Sequence, residues 1–373
     1  MARKNKVVRN LVAGVKNTLK TSKVTIKAGF GTILDRSQGL IRVGVGDEVF
    51  AGRHLLVASG SESVLPPIPG IREGLADGSV VTNHEILDLQ VIPDTLVVIG
   101  GGVIGLEMAS YFNSVGSKVT VIEMLDHIAG AADRELSAAL RKSFEKKGIT
   151  FHLGCQVTAV GNGQLTYKDQ TAMYSIPAAC TLLSVGRRPV SQGIGLENLG
   201  VLVENGRIIT DAQGRTNVPE VYAAGDVNGI WMLAHAAYRE AEVVINTILG
   251  KKDQIRYTAI PSVIYTNPEM AFVGETEETC IEKGLAYRKV TLPMNYSGRY
   301  MAENEGGEGL IKLLIDPVHS RILGCHLLGS YASEIIMTAG ILVETEMRID
   351  EIKELVFPHP TVSEIIREAI FHI

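Results

Sequence analysis

Val97-Val98-Ile99-Gly100-Gly101-Gly102-Val103-Ile104-Gly105-Leu106-Glu107 is the stretch on which the fold turns. An apolar strand pattern enters it, Gly100, Gly102 and Gly105 fill a G-x-G-x-x-G template, and a helical pattern over 103–115 leaves it. The first glycine permits a tight strand-to-helix turn, the second lets the backbone come close to an anion, and the third lets helix and strand pack closely. The helix that follows directs its free N–H groups and the positive end of its dipole at that anion. Residues 118–123 then read as a second strand and 133–147 as a second helix. A β-α-β-α succession specifies a parallel sheet.

Glu123 closes the second strand, 18 residues after Gly105. A carboxylate there meets the hydroxyls of an adenine ribose and repels a 2′-phosphate. Met124, Leu125 and Asp126 bring no arginine to such a phosphate. The expected ligand is therefore NAD rather than NADP. Alone, the glycine pattern would fit any sharp turn; the flanking strand, helix and acid give it context.

The chain around this site has 373 residues, 46% hydrophobic and 21% charged, with 39 glycines, which fits a multidomain α/β protein. A net charge of −5 argues against nucleic acid or an anionic membrane as partner. No run approaches the roughly 20 apolar residues of a membrane helix. Cys155, Cys180, Cys280 and Cys325 are far apart and form neither a metal cluster nor a C-x-x-C or C-x-x-x-x-C pair. A reducing compartment, read as the cytoplasm, follows. Arg3, Lys4, Lys6, Arg9, Lys16 and Lys20 all precede the first acid, Asp35, while Val8, Leu11, Val12, Val15 and Leu19 share one helical face. This segment reads as an amphipathic helix or as an organelle transit peptide.

Residues 24–34, 40–45 and 48–58 read as strands, and Pro66, Pro67, Pro69 and Gly70 mark a crossover. Further strands are expected over 150–210 and at 221–224, and helices over 234–249, 331–345 and 361–372.

A second motif, Val221-Tyr222-Ala223-Ala224-Gly225-Asp226-Val227, is an apolar strand ending in Gly-Asp. Together with the glycine loop it resembles the second flavin motif of the pyridine nucleotide–disulfide oxidoreductases. Leu56-Val57-Ala58-Ser59-Gly60 resembles that family's crossover, with Ser59 where threonine is usual, and Gly186-Arg187-Arg188-Pro189 and Arg215-Thr216-Asn217-Val218-Pro219 also match. Met232-Leu233-Ala234-His235 and Asn267-Pro268-Glu269-Met270-Ala271-Phe272-Val273-Gly274 place the likeness nearest the family's dihydrolipoamide dehydrogenase branch. Glutathione reductase-like and mercuric reductase-like members are the alternatives; the latter would be expected to end in a cysteine pair. The resemblance implies FAD beside Ala58, Gly60, Gly225, Asp226 and residues 232–235, with Gly186 a further cofactor contact. It also implies that Glu107 senses nicotinamide from beside the flavin.

Phe357-Pro358-His359-Pro360-Thr361-Val362-Ser363-Glu364 resembles the family's His-Pro-Thr-x-x-Glu tail. Thiol chemistry needs a proton shuttle that titrates near neutrality, which histidine supplies. A carboxylate on one ring nitrogen fixes the tautomer. The resemblance gives these roles to His359 and Glu364, which would act across a homodimer on the partner's sulfur. By spacing alone they could be a surface histidine and a first-turn acid.

The family's first FAD-binding βαβ unit and its C-x-x-x-x-C pair have no counterpart here. The expectation is thus an N-terminally truncated chain with a partial FAD domain (1–75), an NAD domain (76–205), a second FAD piece (206–256) and an α+β interface domain (257–373). Its implied reaction moves electrons from protein-bound dihydrolipoamide through a disulfide and FAD to NAD. Its partners would be a second copy and the lipoyl domains of 2-oxo-acid dehydrogenase or glycine-cleavage complexes, and no metal is expected. The chain itself would be inactive alone, or a non-catalytic, NAD-binding, dimerising remnant.

Overall fold

The computed structural model describes residues 1–306 and 308–373. The backbone gathers into two compact units, one of residues 1–62, 88–90 and 187–255, the other of residues 63–87, 91–186 and 256–373.

In the first unit, Ala2–Thr21 forms a helix in which no residue is buried. Strands Gly31–Ser37, Leu40–Val45 and Glu48–Gly52 make an antiparallel meander. Residues 24–30, expected to be strand, are exposed and lie outside any strand; sheet pairing starts with Gly31 against Val45. The run 48–58 splits at Arg53 and His54. That break frees Leu55–Val57 to pair in parallel with Val221–Ala223. Ile33, Ile41, Val57, Ile194, Ile208, Val221 and Val227 meet in one core. Each such side chain contributes about 1.5–3 kcal/mol by burial. The parallel pair joins the two expected pieces of the first domain, which are distant in sequence and share this core.

The second unit holds a five-stranded parallel sheet in the order Val80–Val81, Cys180–Leu183, Thr95–Ile99, Lys118–Ile122 and Thr150–His152. Leu96 through Ile99 are all buried, as a parallel strand covered on both faces requires. Helices Val103–Ser114 and Arg134–Lys146 make the crossovers on either side of Lys118–Ile122. Asp133 caps the second of them by accepting from the N–H groups of Glu135 and Leu136.

Residues 256–373 build an antiparallel sheet in the order Ser262–Ile264, Met270–Gly274, Arg321–Leu328, Leu310–Asp316 and Arg288–Pro293. Helices Ala332–Glu344 and Glu364–Phe371 bury Ile335, Ile336, Ile365 and Ile366 in the core that this sheet shares. The last helix starts later than the expected 361, because 361–363 form the turn before it.

Candidate functional site

The loop after Thr95–Ile99 is shaped by its glycines. Gly100 takes φ +102°, and a Cβ there would lie 2.4 Å from the Ser184 carbonyl oxygen. A Cβ on Gly105 would lie 2.2 Å from the Gly100 carbonyl oxygen, so helix and turn touch. Gly102 differs: a Cβ there would meet no atom within 4 Å. It stands at the N-terminus of Val103–Ser114, which no side chain caps. A side chain at 102 would thus fill open space over uncapped N–H groups, the cradle a diphosphate needs.

Glu123 ties this loop to the next strand. One carboxylate oxygen accepts the Gly101 N–H at 2.6 Å and the other accepts the Leu125 N–H at 2.7 Å. A carboxylate offers about four acceptor sites, so each oxygen retains capacity for a ribose hydroxyl. The residues present therefore fit a dinucleotide whose ribose carries free hydroxyls. Gly186, with φ +117°, also faces open space in this unit.

Glu107 finds a partner that local sequence does not show. Its carboxylate accepts the Tyr265 backbone N–H at 2.8 Å. Burial raises its pKa, and the bond from Tyr265 opposes that rise.

In the first unit, Ala58 and Gly60 follow Leu55–Val57, while Gly225 and Asp226 follow its parallel partner Val221–Ala223. Asp226 accepts from the Ser61 hydroxyl, which in turn accepts from Arg187 Nε at 2.7 Å. Beneath the turn, buried Glu240 accepts the Gly225 N–H and the Asn228 amide. Ser61 and Glu240 were not singled out from sequence, where each is an ordinary polar residue. Gly60, at φ +73°, has open space at its Cβ position, so this turn fits a flavin nucleotide approaching its backbone. Leu233 is the N-cap of Ala234–Ile248, which places Met232, Leu233, Ala234 and His235 at that helix's start.

At the C-terminal end, His359 Nδ1 lies 2.9 Å from Glu364 Oε1, and the imidazole side chain is 79% exposed. The ring therefore stands in solvent and outside the core of its own subunit. Glu364 Oε2 accepts the Thr361 N–H at 2.8 Å. Burial raises the Glu364 pKa, but the Thr361 and His359 bonds outweigh it and leave the carboxyl below its ordinary value. Its negative charge thus persists to orient the ring.

Cys155, Cys180, Cys280 and Cys325 are free and buried. Burial pushes all four thiols up, so none is poised as a thiolate. Among the described residues no cluster of three or more His, Cys, Asp or Glu side chains could hold a metal ion, and no helix is long and apolar enough to cross a membrane.

Fold and sites together define a dinucleotide-dependent oxidoreductase. Residues 1–241 match the family described as pyridine nucleotide-disulphide oxidoreductase, and residues 260–370 match its dimerisation domain. The chain belongs to this family. A dihydrolipoyl dehydrogenase of Pisum sativum mitochondria is 36% identical over 99% of this chain and 74% of its own length. The mitochondrial dihydrolipoyl dehydrogenase of Cricetulus griseus is 34% identical over 99% of this chain and 74% of its own. Among solved structures, the HOCl-induced flavoprotein disulfide reductase of Escherichia coli aligns with a TM-score of 0.87 at 26% identity, covering 99% of this chain and 84% of its own. The chain is accordingly an enzyme of the NAD-dependent flavin oxidoreductase class with a homodimer-forming C-terminal domain.

These matches correct three expectations. The family model matches residues 1–241 as one domain, which corrects the expectation of a partial FAD domain. The non-catalytic remnant gives way to the assignment as an enzyme of this family. A missing motif says nothing of how much of a domain folds, and the first unit closes its own core. The cytoplasmic expectation also fails, because the Pisum and Cricetulus relatives are mitochondrial. Dispersed cysteines report on redox conditions, not on an address.

Proposed function

We propose that this enzyme oxidises protein-bound dihydrolipoamide with reduction of NAD, giving lipoamide, NADH and a proton. The observation that carries this reading is the exposed His359–Glu364 pair on a dimerisation domain, in a chain that also bears the NAD-type loop. His359 takes a thiol proton from sulfur presented at the dimer face. Glu364 holds the ring by Nδ1 and supports its positive charge. Gly100, Gly102 and Gly105 receive the NAD diphosphate, and Glu123 accepts from the adenine ribose. Glu107 and Gly186 complete the residues assigned to the nicotinamide nucleotide. Ala58, Gly60, Gly225, Asp226, Met232, Leu233, Ala234 and His235 would hold FAD. When bound, FAD supplies two-electron chemistry between thiols and nicotinamide. No step is assigned to a cysteine of this chain.

The functional division proposed is 1–75 and 206–256 for the flavin, 76–205 for NAD and 257–373 for dimerisation. Lipoyl domains of 2-oxo-acid dehydrogenase or glycine-cleavage complexes are the proposed partners. The test is NADH formation from a dihydrolipoylated domain with FAD added, beside reduced glutathione as the competing thiol. NADH formed from the lipoyl substrate alone is the expected result. NADH formed from glutathione instead, or from neither, contradicts the assignment.

A further inference from the structure

We propose that the buried ion cluster around Lys312 is a positioning device for the loop that carries Glu123, and so sets the preference for a ribose hydroxyl over a 2′-phosphate. The inference rests on the dinucleotide reading above. Lys312 lies in the strand Leu310–Asp316, yet its side chain is 1% exposed. Its ammonium donates to both carboxylate oxygens of Asp133, at 2.9 and 2.7 Å, and Asp133 is wholly buried. Glu135 Oε2 lies 3.1 Å away, and Glu277 accepts a further bond. The cluster thus joins the start of helix Arg134–Lys146 to the antiparallel sheet.

The connection continues to the nucleotide loop. Asp133 caps the helix through Glu135 and Leu136. Ser137, one turn on, donates to the Ile128 carbonyl at 2.6 Å. The Ala129 N–H donates to the Gly101 carbonyl at 2.8 Å, and Gly101 donates to Glu123 at 2.6 Å. Ile128 packs beside Gly101, where a Cβ would lie 3.2 Å from its Cγ2 atom. Every link from Lys312 to Glu123 is therefore a direct contact or one short turn of chain.

Physical reasoning favours register over stability as the role. Desolvating an ammonium and a carboxylate offsets most of their attraction, and fixing alignment is the best-attested use of such pairs. Glu123 can discriminate a phosphate only if its carboxylate is held in place. A loop released from Lys312 would let the carboxylate swing away from the ribose.

The test compares the parent chain with a double variant, Asp133→Asn with Lys312→Met, titrated calorimetrically with NAD and with NADP. Asparagine retains the helix cap, and methionine removes the cation without leaving an ionised Asp133. The NAD-to-NADP preference is expected to fall about tenfold, with faster hydrogen exchange at the Leu125 and Ala129 amides. Lys312→Arg is expected to restore most of the preference when placed opposite the native Asp133. If the double variant does not fold, Glu277→Gln takes its place, with a loss of about threefold expected. A folded variant that keeps the parental preference overturns the proposal alone. A parent chain that binds neither dinucleotide overturns the reading on which it rests, and the proposal with it.

Discussion

The glycine loop and the His359 tail belong to the same compact unit, but they are built in opposite ways. The loop is braced from within its own chain. Gly100 to Gly105 sit against buried strands, and the Gly101 amide already finds Glu123. Its chemistry comes from backbone geometry and is complete within one chain. The tail is a single imidazole held from one side by Glu364 and open to solvent on the other. The chemistry proposed for it needs sulfur presented from outside this tail. The first kind of site should fail by distortion, the second by loss of one proton-carrying group.

The largest expected effect is in the tail. His359→Gln should lower turnover by roughly two to four orders of magnitude while NAD affinity, read by calorimetry, stays unchanged. A matching fall in NAD affinity would break the separation of the two sites. Next comes acid. Burial raises the Glu277 pKa, but bonds from Lys312, Lys289 and Tyr287 outweigh it and bring the carboxyl down to about 2. Its folded value is depressed, so its stabilisation is present above the ordinary 4.5 and is lost as pH falls towards about 2. Denaturant unfolding across that window should lose on the order of 3 kcal/mol from this group; a flat profile would remove the cluster as an anchor of the loop.

Two glycine substitutions sharpen the comparison inside the loop. Gly105→Ala puts a methyl 2.2 Å from a carbonyl oxygen and should cost about 1–3 kcal/mol of stability. Gly102→Ala enters open space, so it should weaken NAD while leaving the unfolding midpoint in place. The reverse pattern would mean that the roles of the two glycines are exchanged. The smallest effect is expected on the outer face of the helix Arg134–Lys146. Glu145→Gln removes an exposed i,i+4 pair with Arg141 and should cost about 0.3–0.5 kcal/mol with no change in either site.

Legibility from sequence followed the same divide. The loop could be read because a tight turn, a close approach and an acid at the next strand end are all local requirements. The parallel sheet could be read because strands covered on both faces are apolar throughout, as Leu96–Val97–Val98–Ile99 are. What could not be read joins distant segments. Tyr265 meets Glu107 across 158 residues and Lys312 meets Asp133 across 179. Lys312 looks like an interruption in an apolar strand until its partners are placed around it. Leu55–Val57 and Val221–Ala223 were assigned to one domain by motif, but nothing local in either shows that they pair in parallel.

The most direct test of the central claim is a calorimetric titration of the parent chain and of Glu123→Ala with NAD and NADP. The loop as described predicts NAD binding at least tenfold tighter than NADP in the parent, with that gap largely closed by the substitution. Equal affinities in the parent, or a gap that survives the loss of Glu123, would contradict it.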